Sequence, residues 1–199
     1  MKYFRRILLV VSLASPMAAR ADDTAPDALV KNTTNEVLSV IRQTSDPQRL
    51  VEVARSKVVP HFDFARMTQL AVDKDWKKAT PEQQQALEKE FRDLLVRTYT
   101  HSLAGGNNKS AQVNVTPAQG NGQEVTVRTQ VTGSSRKPIP IDYSMEHTPA
   151  GWKVYDVVVE NVSLVTNYRA TFAAQVNQGG IDGLGKFMAG RNEARTASR

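Results

Sequence analysis

The sequence predicts an α+β fold in which helices pack on one face of a curved four-stranded antiparallel sheet. Apolar residues recur at the 3.6-residue spacing of helices over residues 27–105 and again over residues 163–190. Between these segments, over residues 113–154, apolar and polar residues alternate as they do in strands. Alternation makes one sheet face apolar and the other wet, so helices must cover the apolar face.

The first 21 residues have the features of a secretory signal peptide. Lys2, Arg5 and Arg6 form a positive start, a short apolar run follows, and Ala19-Arg20-Ala21 is a small-x-small cleavage pattern. The apolar run is shorter than the roughly 20 residues that span a bilayer, which argues against the alternative of an anchor helix. We therefore expect residues 1–21 to be removed, leaving one domain over residues 22–199.

Charge and cysteine content exclude several classes of protein. The 26 Lys and Arg against 20 Asp and Glu suggest a basic protein, but four of the basic residues lie in the signal peptide. The mature balance of +2 gives little support for nucleic-acid binding. The absence of cysteine excludes disulfides, a cysteine nucleophile and thiolate metal sites. The exported domain must be stabilised by its core alone.

Three helices are predicted before residue 80. The first covers Asp27 to Gln43, and the second begins at Asp46-Pro47 and ends before Pro60. A short third helix, which Asp63 is placed to cap, carries Met67 and Leu70. Each helix has one apolar stripe, although Thr33 and Thr34 make the middle of the first stripe only weakly apolar.

The strongest local signal is the start of the next helix at Thr80. Thr80-Pro81-Glu82-Gln83 combines an N-cap threonine, a proline at the first helical position and a glutamine at the third, which is a capping box. The helix should run about 23 residues and end at Gly105-Gly106. Its apolar positions include Leu87, Phe91, Leu94, Leu95, Tyr99 and Leu103.

Four strands and two helices complete the chain. Asn121-Gly122 and Pro149-Ala150-Gly151 supply turns between the strands. A helix beginning near Ser163 carries Tyr168 and Phe172 and ends at Gly179-Gly180, and a short last helix follows. The apolar strand positions are Val113, Val115, Val125, Val127, Val131, Ile139, Ile141, Tyr143, Met145, Trp152 and Val154.

Two ordered sets of residues resemble a known family. The first set is Phe62-Asp63-Phe64, Met67, Trp76, Ala79-Thr80-Pro81-Glu82-Gln83, Phe91, Leu94-Leu95 and Thr98-Tyr99. The second is Tyr143-Ser144-Met145, Gly151-Trp152-Lys153-Val154-Tyr155-Asp156-Val157, Val162-Ser163-Leu164-Val165, Asn167-Tyr168-Arg169 and Phe172. With the signal peptide, these sets closely resemble MlaC, the family of periplasmic phospholipid-binding proteins of the Mla system, also called the toluene-tolerance family. The resemblance extends from about Val30 to Asn192.

The resemblance implies a fold, a ligand and partners. The fold would be related to the nuclear-transport-factor-2-like fold, with a cavity between sheet and helices that takes the acyl tails of a glycerophospholipid. The partners would be an outer-membrane lipoprotein–porin complex and an inner-membrane ABC transporter with a membrane-anchored lipid-binding subunit. The protein would shuttle lipid through the periplasm, as a monomer, to maintain outer-membrane lipid asymmetry. The family often has glycine before Trp76 and before Val162, where this chain has Val72-Asp73-Lys74-Asp75 and Asn161.

The apolar residues of the sheet face and of the facing helices are the candidate lipid-binding residues. A carrier needs such a lining because each buried methylene is worth about 0.8 kcal/mol. The pattern alone also fits a dry core, and only the resemblance favours a cavity. The candidates are Phe91, Leu94, Leu95, Tyr99, Val125, Val127, Ile141, Tyr143, Met145, Trp152, Val154, Tyr168 and Phe172. Arg97, Lys153 and Arg169 are candidates for contact with the phosphate, with solvated surface charge as the alternative.

Two other classes of function are alternatives to lipid carriage. An enzyme of a related fold would place an Asp–His pair in the pocket, and the available groups are His61, His101, His147, Asp63, Asp142 and Asp156. The three histidines fall in different settings, a helix entrance, a helix C-terminus and a strand end, and no serine-hydrolase, zinc or phosphate-loop motif is present. Three scattered histidines do not form a metal site, and we expect no cofactor. The second alternative is an adaptor with a dry core that bridges two membrane complexes.

Overall fold

A computed structural model of the chain describes residues 24–105, 108–133, 135 and 137–197. The predicted signal peptide lies outside these residues, so its removal stays a prediction. The order of elements is helical, then a sheet, then helical again, as predicted. The fold is α+β, with helices and an open antiparallel sheet. The relation to the nuclear-transport-factor-2-like fold stays a prediction.

The first two predicted helices form within about two residues of their expected bounds. Helix α1 spans Pro26–Gln43, and α2 spans Pro47–Val53. Asp46 caps α2 because its carboxylate accepts a hydrogen bond from the backbone N–H of Gln48 at 3.0 Å. Helix α2 then continues as a π-helical segment, Ala54–Val58, and a 3-10 turn, Val59–His61. The helical backbone therefore continues past the predicted end before Pro60, as far as His61, with a change of pitch inside it.

Helix α3 spans Phe64–Val72 and is capped as predicted. The Asp63 carboxylate accepts a hydrogen bond from the backbone N–H of Arg66 at 2.8 Å. A 3-10 segment, Asp73–Lys78, then leads to the next helix. Asp73 has φ 58° and ψ −127°, a conformation that side chains with a Cβ adopt only under strain. This position falls in the segment where the MlaC-like pattern often has glycine.

We expect Asp73→Gly to stabilise the protein. Glycine removes a backbone strain of about 1–3 kcal/mol, and the added freedom of the unfolded chain costs about 0.5–1 kcal/mol. The free energy of unfolding, measured by urea denaturation, should rise by about 1 kcal/mol. Asp46→Gly is the control because Asp46 has φ −66° and caps α2, so its loss should not stabilise the protein. Equal or lower stability of Asp73→Gly would contradict the strain at this position.

Helix α4 spans Pro81–Gly105 and starts with the predicted capping box. The backbone N–H of Gln83 donates to the Thr80 hydroxyl at 3.3 Å, and the backbone N–H of Thr80 donates to the Gln83 amide oxygen at 3.0 Å. Its 25 residues compare with the 23 expected. Gly106 lies outside the described residues.

The sheet contains the four predicted strands and two short additional ones. The predicted strands are β1 (Gln112–Val115), β3 (Glu124–Thr132), β4 (Ile139–Thr148) and β5 (Gly151–Val159), and they pair antiparallel in the order β1-β3-β4-β5. Strand β2 (Gln119–Asn121) pairs with β3, and β6 (Val162–Ser163) pairs with β5. The prediction of four strands missed β2 and β6 because three and two residues are too few to show a period of two.

The chain leaves the sheet through a tight turn and a capped helix. Glu160 and Asn161 have φ 49° and 67°, so Asn161 adopts the left-handed conformation that asparagine tolerates. Helix α5 spans Leu164–Ala197 with a break at Gly180, where φ is 66° and ψ −167°. The break falls at the predicted helix end. The Asp156 carboxylate accepts a hydrogen bond from the Ser163 hydroxyl at 2.6 Å and one from the backbone N–H of Val165 at 3.2 Å, which fixes the start of α5.

The helices pack in two different ways. Helices α3, α4 and α5 bury a dry core around Phe91, Phe172, Leu184 and Met188, whose side chains are fully buried. Helices α1 and α2 belong instead to clusters that include the apolar face of the sheet. The fold therefore has a compact helical half and a half in which helices lie over the sheet.

Arg66 ties α3 to the sheet. Glu124 and Glu146 are paired across β3 and β4, so two like charges lie opposite each other. The Arg66 guanidinium donates to Glu146 at 2.6 Å and to Glu124 at 2.7 Å, and lies 3.7 Å from the centroid of the Tyr155 ring. Burial acts to lower the pKa of Arg66, but the hydrogen bonds to both glutamates outweigh it and raise the pKa.

We expect Arg66→Ala to destabilise the protein by about 2 kcal/mol, since charge-assisted hydrogen bonds are lost and two glutamates remain opposed. Arg66→Lys should recover only part of this because a lysine lacks the planar fork. Urea denaturation measures the free energy of unfolding of both variants. Arg49→Ala removes an exposed pair with Glu52 and should cost less than about 0.5 kcal/mol. Equal effects of Arg66→Ala and Arg49→Ala would contradict the structural role of Arg66.

Candidate functional site

A cavity of about 580 Å³ lies between the sheet and the helices. Its walls are formed by α1, by α2 with its π-helical continuation, by residues 95–103 of α4, and by the apolar face of the sheet. Strand β4 supplies a row of alternate residues, Ile139, Ile141, Tyr143 and Met145. The volume falls within the range of about 300–1,000 Å³ that small-molecule pockets occupy.

A bulge in β5 adds a second row of side chains to this wall. Ser144 pairs with Asp156 and Met145 pairs with Val154, so Tyr155 is an extra residue in β5. The extra residue allows Val154 and Val157, three positions apart, to face the cavity together, and Val159 follows. The sheet thus presents a continuous aliphatic surface.

No charged residue is found among the described residues that line the cavity. The polar lining residues are Thr33, Thr34, His61, Tyr99, Thr100, Ser102, Asn108 and Tyr143. Two of the threonine hydroxyls donate to carbonyls of their own helices, Thr34 to Val30 at 2.7 Å and Thr100 to Val96 at 2.6 Å. The wall therefore suits an apolar ligand, because few of its polar groups need a ligand as a partner.

The two tyrosines of the cavity add no charge at neutral pH. Burial raises the pKa of Tyr143 to about 12, although a hydrogen bond with Thr129 acts in the opposite direction. Burial, together with the charge of Tyr168, raises the pKa of Tyr99 to about 12. Both phenols stay neutral, so they present rings and hydroxyl groups to a ligand.

Comparison with known proteins identifies the family. The profile of the MlaC protein family matches residues 31–189, which is most of the chain. The chain belongs to the MlaC family. Among solved structures, it is similar to the phospholipid-binding protein from Ralstonia solanacearum, which was determined in complex with a phospholipid. The TM-score is 0.78 at 34% sequence identity, and the match covers 86% of this chain and 99% of that one.

Two curated relatives lie in the same family. The toluene tolerance protein Ttg2D of Pseudomonas putida is 29% identical over 185 residues, covering 89% of this chain and 85% of the relative. The intermembrane phospholipid transport system binding protein MlaC of Haemophilus influenzae is 21% identical over 191 residues, covering 92% and 89%. The resemblance to the MlaC family seen in the sequence is confirmed.

Six of the thirteen candidate residues lie on the cavity wall. They are Leu95, Tyr99, Ile141, Tyr143, Met145 and Val154. Leu95 and Tyr99 come from α4, and the other four come from β4 and β5. Their contact with lipid stays a prediction.

The other seven candidates lie away from the cavity wall. Four pack in the helical core, where the rings of Phe91 and Phe172 meet edge to face with centroids 5.2 Å apart. Three lie on the apolar face of the sheet outside the lining. The helical residues are Phe91, Leu94, Tyr168 and Phe172, and the sheet residues are Val125, Val127 and Trp152.

Sequence reasoning missed much of the remaining wall. Helix α1 contributes Leu29, Val30, Val37, Leu38 and Ile41, and α2 contributes Leu50 and Val53. The available signal was the apolar stripe of α1 with threonines in its middle. Thr33 and Thr34, which weaken the stripe, both line the cavity.

The three basic candidates for phosphate contact are not among the lining residues. The Arg169 side chain donates to the backbone carbonyl of Leu70 at 2.8 Å, and the Lys153 ammonium donates to that of Pro60 at 2.5 Å. Burial acts to raise the pKa of Glu90, but hydrogen bonds from Lys89 and Asn192 lower it, and the charges of Lys89 and Arg97 add to this effect. Arg169 and Lys153 thus have structural partners on neighbouring elements.

The groups that an enzyme would need have other roles or positions. Asp63 and Asp156 cap helices, and Asp142 lies 3.6 Å from the guanidinium of Arg128. His61 lines the cavity, and none of the described residues that line it is an Asp or Glu. Residues 24–105, 108–133, 135 and 137–197 contain no His, Asp and Glu cluster suited to a metal ion, and no helix long and apolar enough to cross a membrane.

Proposed function

We propose that this protein is a periplasmic carrier that holds a glycerophospholipid with its acyl tails in the cavity. The observation that carries the proposal is a cavity of about 580 Å³ with no charge on its described wall. The family and the lipid complex of the Ralstonia solanacearum relative support the same ligand class. Leu95, Tyr99, Ile141, Tyr143, Met145 and Val154 contact the acyl chains.

The energetics of lipid transfer explain why such a cavity is needed. Two acyl chains contain roughly 30 methylenes, each worth about 0.8 kcal/mol, or on the order of 20 kcal/mol in water. A carrier must replace most of this hydrophobic free energy, yet it must not exceed the bilayer so far that the lipid cannot leave. An apolar wall without charged side chains meets both requirements.

The head group stays at the open side of the cavity, where the rim is neutral. Tyr99 is 37% exposed and Ser102 is exposed, and both belong to the wall. Hydroxyl groups accept and donate hydrogen bonds without selecting a charge. The carrier therefore binds lipids through their tails and contacts the phosphate loosely.

The protein moves lipid between two membrane complexes without catalysis. Its partners are an outer-membrane lipoprotein–porin complex and an inner-membrane ABC transporter with a membrane-anchored lipid-binding subunit. The transporter supplies the energy, and the exchange maintains outer-membrane lipid asymmetry. The Haemophilus influenzae relative, an intermembrane phospholipid transport system binding protein, supports this role. A dry adaptor would not need the cavity.

The proposal is tested by lipid uptake and partner capture. Delipidated protein is mixed with vesicles of phosphatidylethanolamine and phosphatidylglycerol, separated by flotation, and assayed for bound phospholipid. Uptake of lipid by the soluble fraction is expected. The loaded protein should also crosslink to both membrane complexes in whole cells. Failure to take up lipid would contradict the carrier, and capture of neither complex would contradict the shuttle.

A further inference from the structure

The cavity has an open end and a closed end. On the side of α4 that carries Leu95, Tyr99 and Ser102, exposure rises from 5% at Leu95 to 37% at Tyr99, and Ser102 is exposed, whereas Thr100 between them is 4% exposed. Exposure also rises along β4 from Met145, which is fully buried, to Ile141 and Ile139, which are half-buried. Two separate elements therefore place the rim near Ile139, Tyr99 and Ser102, and the floor near Met145.

Exposure rises in the same way along strand β5. Val154, which pairs with Met145, is 3% exposed, while Val159, which pairs with Ile141, is half-buried. Helix α3 contributes Phe64 and the fully buried Met67 to the closed end. The floor thus consists of Phe64, Met67, Leu95, Met145 and Val154.

The backbone around this floor is firmly attached. The backbone N–H of Asp63 donates to the carbonyl of Val154 at 2.8 Å, which joins the start of α3 to β5. Arg66 joins the same helix to β3 and β4 through its two glutamates. The backbone of the floor is therefore held in place, and its adjustable parts are the side chains of Met67 and Met145, which are unbranched and flexible.

The depth of the cavity matches one acyl chain. Six residues separate Ile139 at the rim from Met145 at the floor, which corresponds to about 20 Å along a strand. The acyl chains of one bilayer leaflet span about 15 Å, half of the hydrocarbon core. A chain of that length that enters from the rim ends about 5 Å above the level of Met145, so the last methylenes of a longer chain are the ones that meet the methionine side chains.

We propose that Met67 and Met145 form an adjustable stop at the closed end of the cavity that sets the acyl-chain length of the bound phospholipid. The inference rests on the proposed function and extends it to the selection of tails. The flexible side chains accept neighbouring chain lengths by changing rotamer. Chains that are too long leave methylenes exposed at the rim, and each exposed methylene weakens binding about fourfold, since it is worth about 0.8 kcal/mol.

The test compares three fully buried methionines, two on the cavity wall and one in the helical core. Met67→Ala and Met145→Ala enlarge the floor, whereas the matched control Met188→Ala enlarges the dry core outside the cavity. Each protein is offered vesicles of phosphatidylglycerol with equal amounts of shorter, middle and longer saturated chains. Mass spectrometry of the extracted lipid gives the chain-length distribution.

Met67→Ala and Met145→Ala should shift the bound lipid toward longer chains by about two carbons, because each removes three heavy atoms. Met188→Ala should keep the wild-type distribution. Met67→Leu and Met145→Leu preserve volume and folding, and their stiffer side chains should narrow the distribution. Unchanged distributions in the folded cavity variants would overturn the inference while leaving the carrier intact. Wild-type protein that binds no chain length would instead overturn the proposed function.

Discussion

An Ile141→Glu variant is expected to fold and to lose its phospholipid. Ile141 is half-buried and lines the cavity, so a glutamate there is hydrated when the cavity contains water. Acyl chains would remove that water from the carboxylate, at a cost of several kcal/mol. The affinity should fall more than about 100-fold. Lipid uptake from vesicles measures the loss, and circular dichroism checks the fold.

The matched control for this variant is Val162→Glu. Val162 is 54% exposed at the start of β6 and does not line the cavity, so the same charge is added in water. Val162→Glu should bind lipid as the wild type does. A folded Ile141→Glu protein that takes up lipid like Val162→Glu would show that tails do not occupy this cavity.

Phe172→Ala is expected to cost about 3–5 kcal/mol of the free energy of unfolding. Its ring is fully buried and lies 5.2 Å from the Phe91 ring and 5.3 Å from the Tyr168 ring, centroid to centroid. Removing it leaves a hole in the core that joins α4 and α5. The cavity lies elsewhere, so the protein that remains folded should bind lipid with wild-type affinity.

Urea denaturation measures this loss, and lipid uptake at low temperature measures the binding. Phe187→Ala is the control because Phe187 is only partly buried at the edge of the same core. Phe187→Ala should lower the free energy of unfolding by less than half as much as Phe172→Ala does. A Phe172→Ala protein that is as stable as the wild type but has lost its lipid would place Phe172 at the ligand and contradict the division into a dry half and a lipid-binding half.

The local signals in the sequence were strong where one interaction determines the backbone. The capping box at Thr80 and the cap at Asp63 form as predicted because each pairs a side chain with a neighbouring N–H. The alternation in β3, β4 and β5 also predicted which residues share a face. Local chemistry was sufficient for these features.

The division between dry core and cavity could not be predicted from the sequence. Helix α4 is apolar on two sides: Phe91 and Leu94 face α3 and α5, whereas Leu95 and Tyr99 face the cavity. The hydrophobic effect depends on the apolar area removed from water and does not distinguish protein from lipid as its partner. Only the packing of α5 against α4 decides which side is filled.

The role of α1 was hidden for a related reason. Its stripe predicts a helix that covers apolar surface, but the surface it covers is formed by residues far along the chain, such as Val113 and Val131. That contact is tertiary, and no local pattern encodes it. The two threonines in the stripe were a weak sign that this face does not pack tightly throughout.

Solvent extraction of the purified mature protein, followed by mass spectrometry of the extract, tests the central claim most directly. The account predicts glycerophospholipid in near-stoichiometric amount, together with an N-terminus at Asp22. A well-folded protein that yields no lipid, and takes up none from vesicles, would contradict the carrier and favour an adaptor.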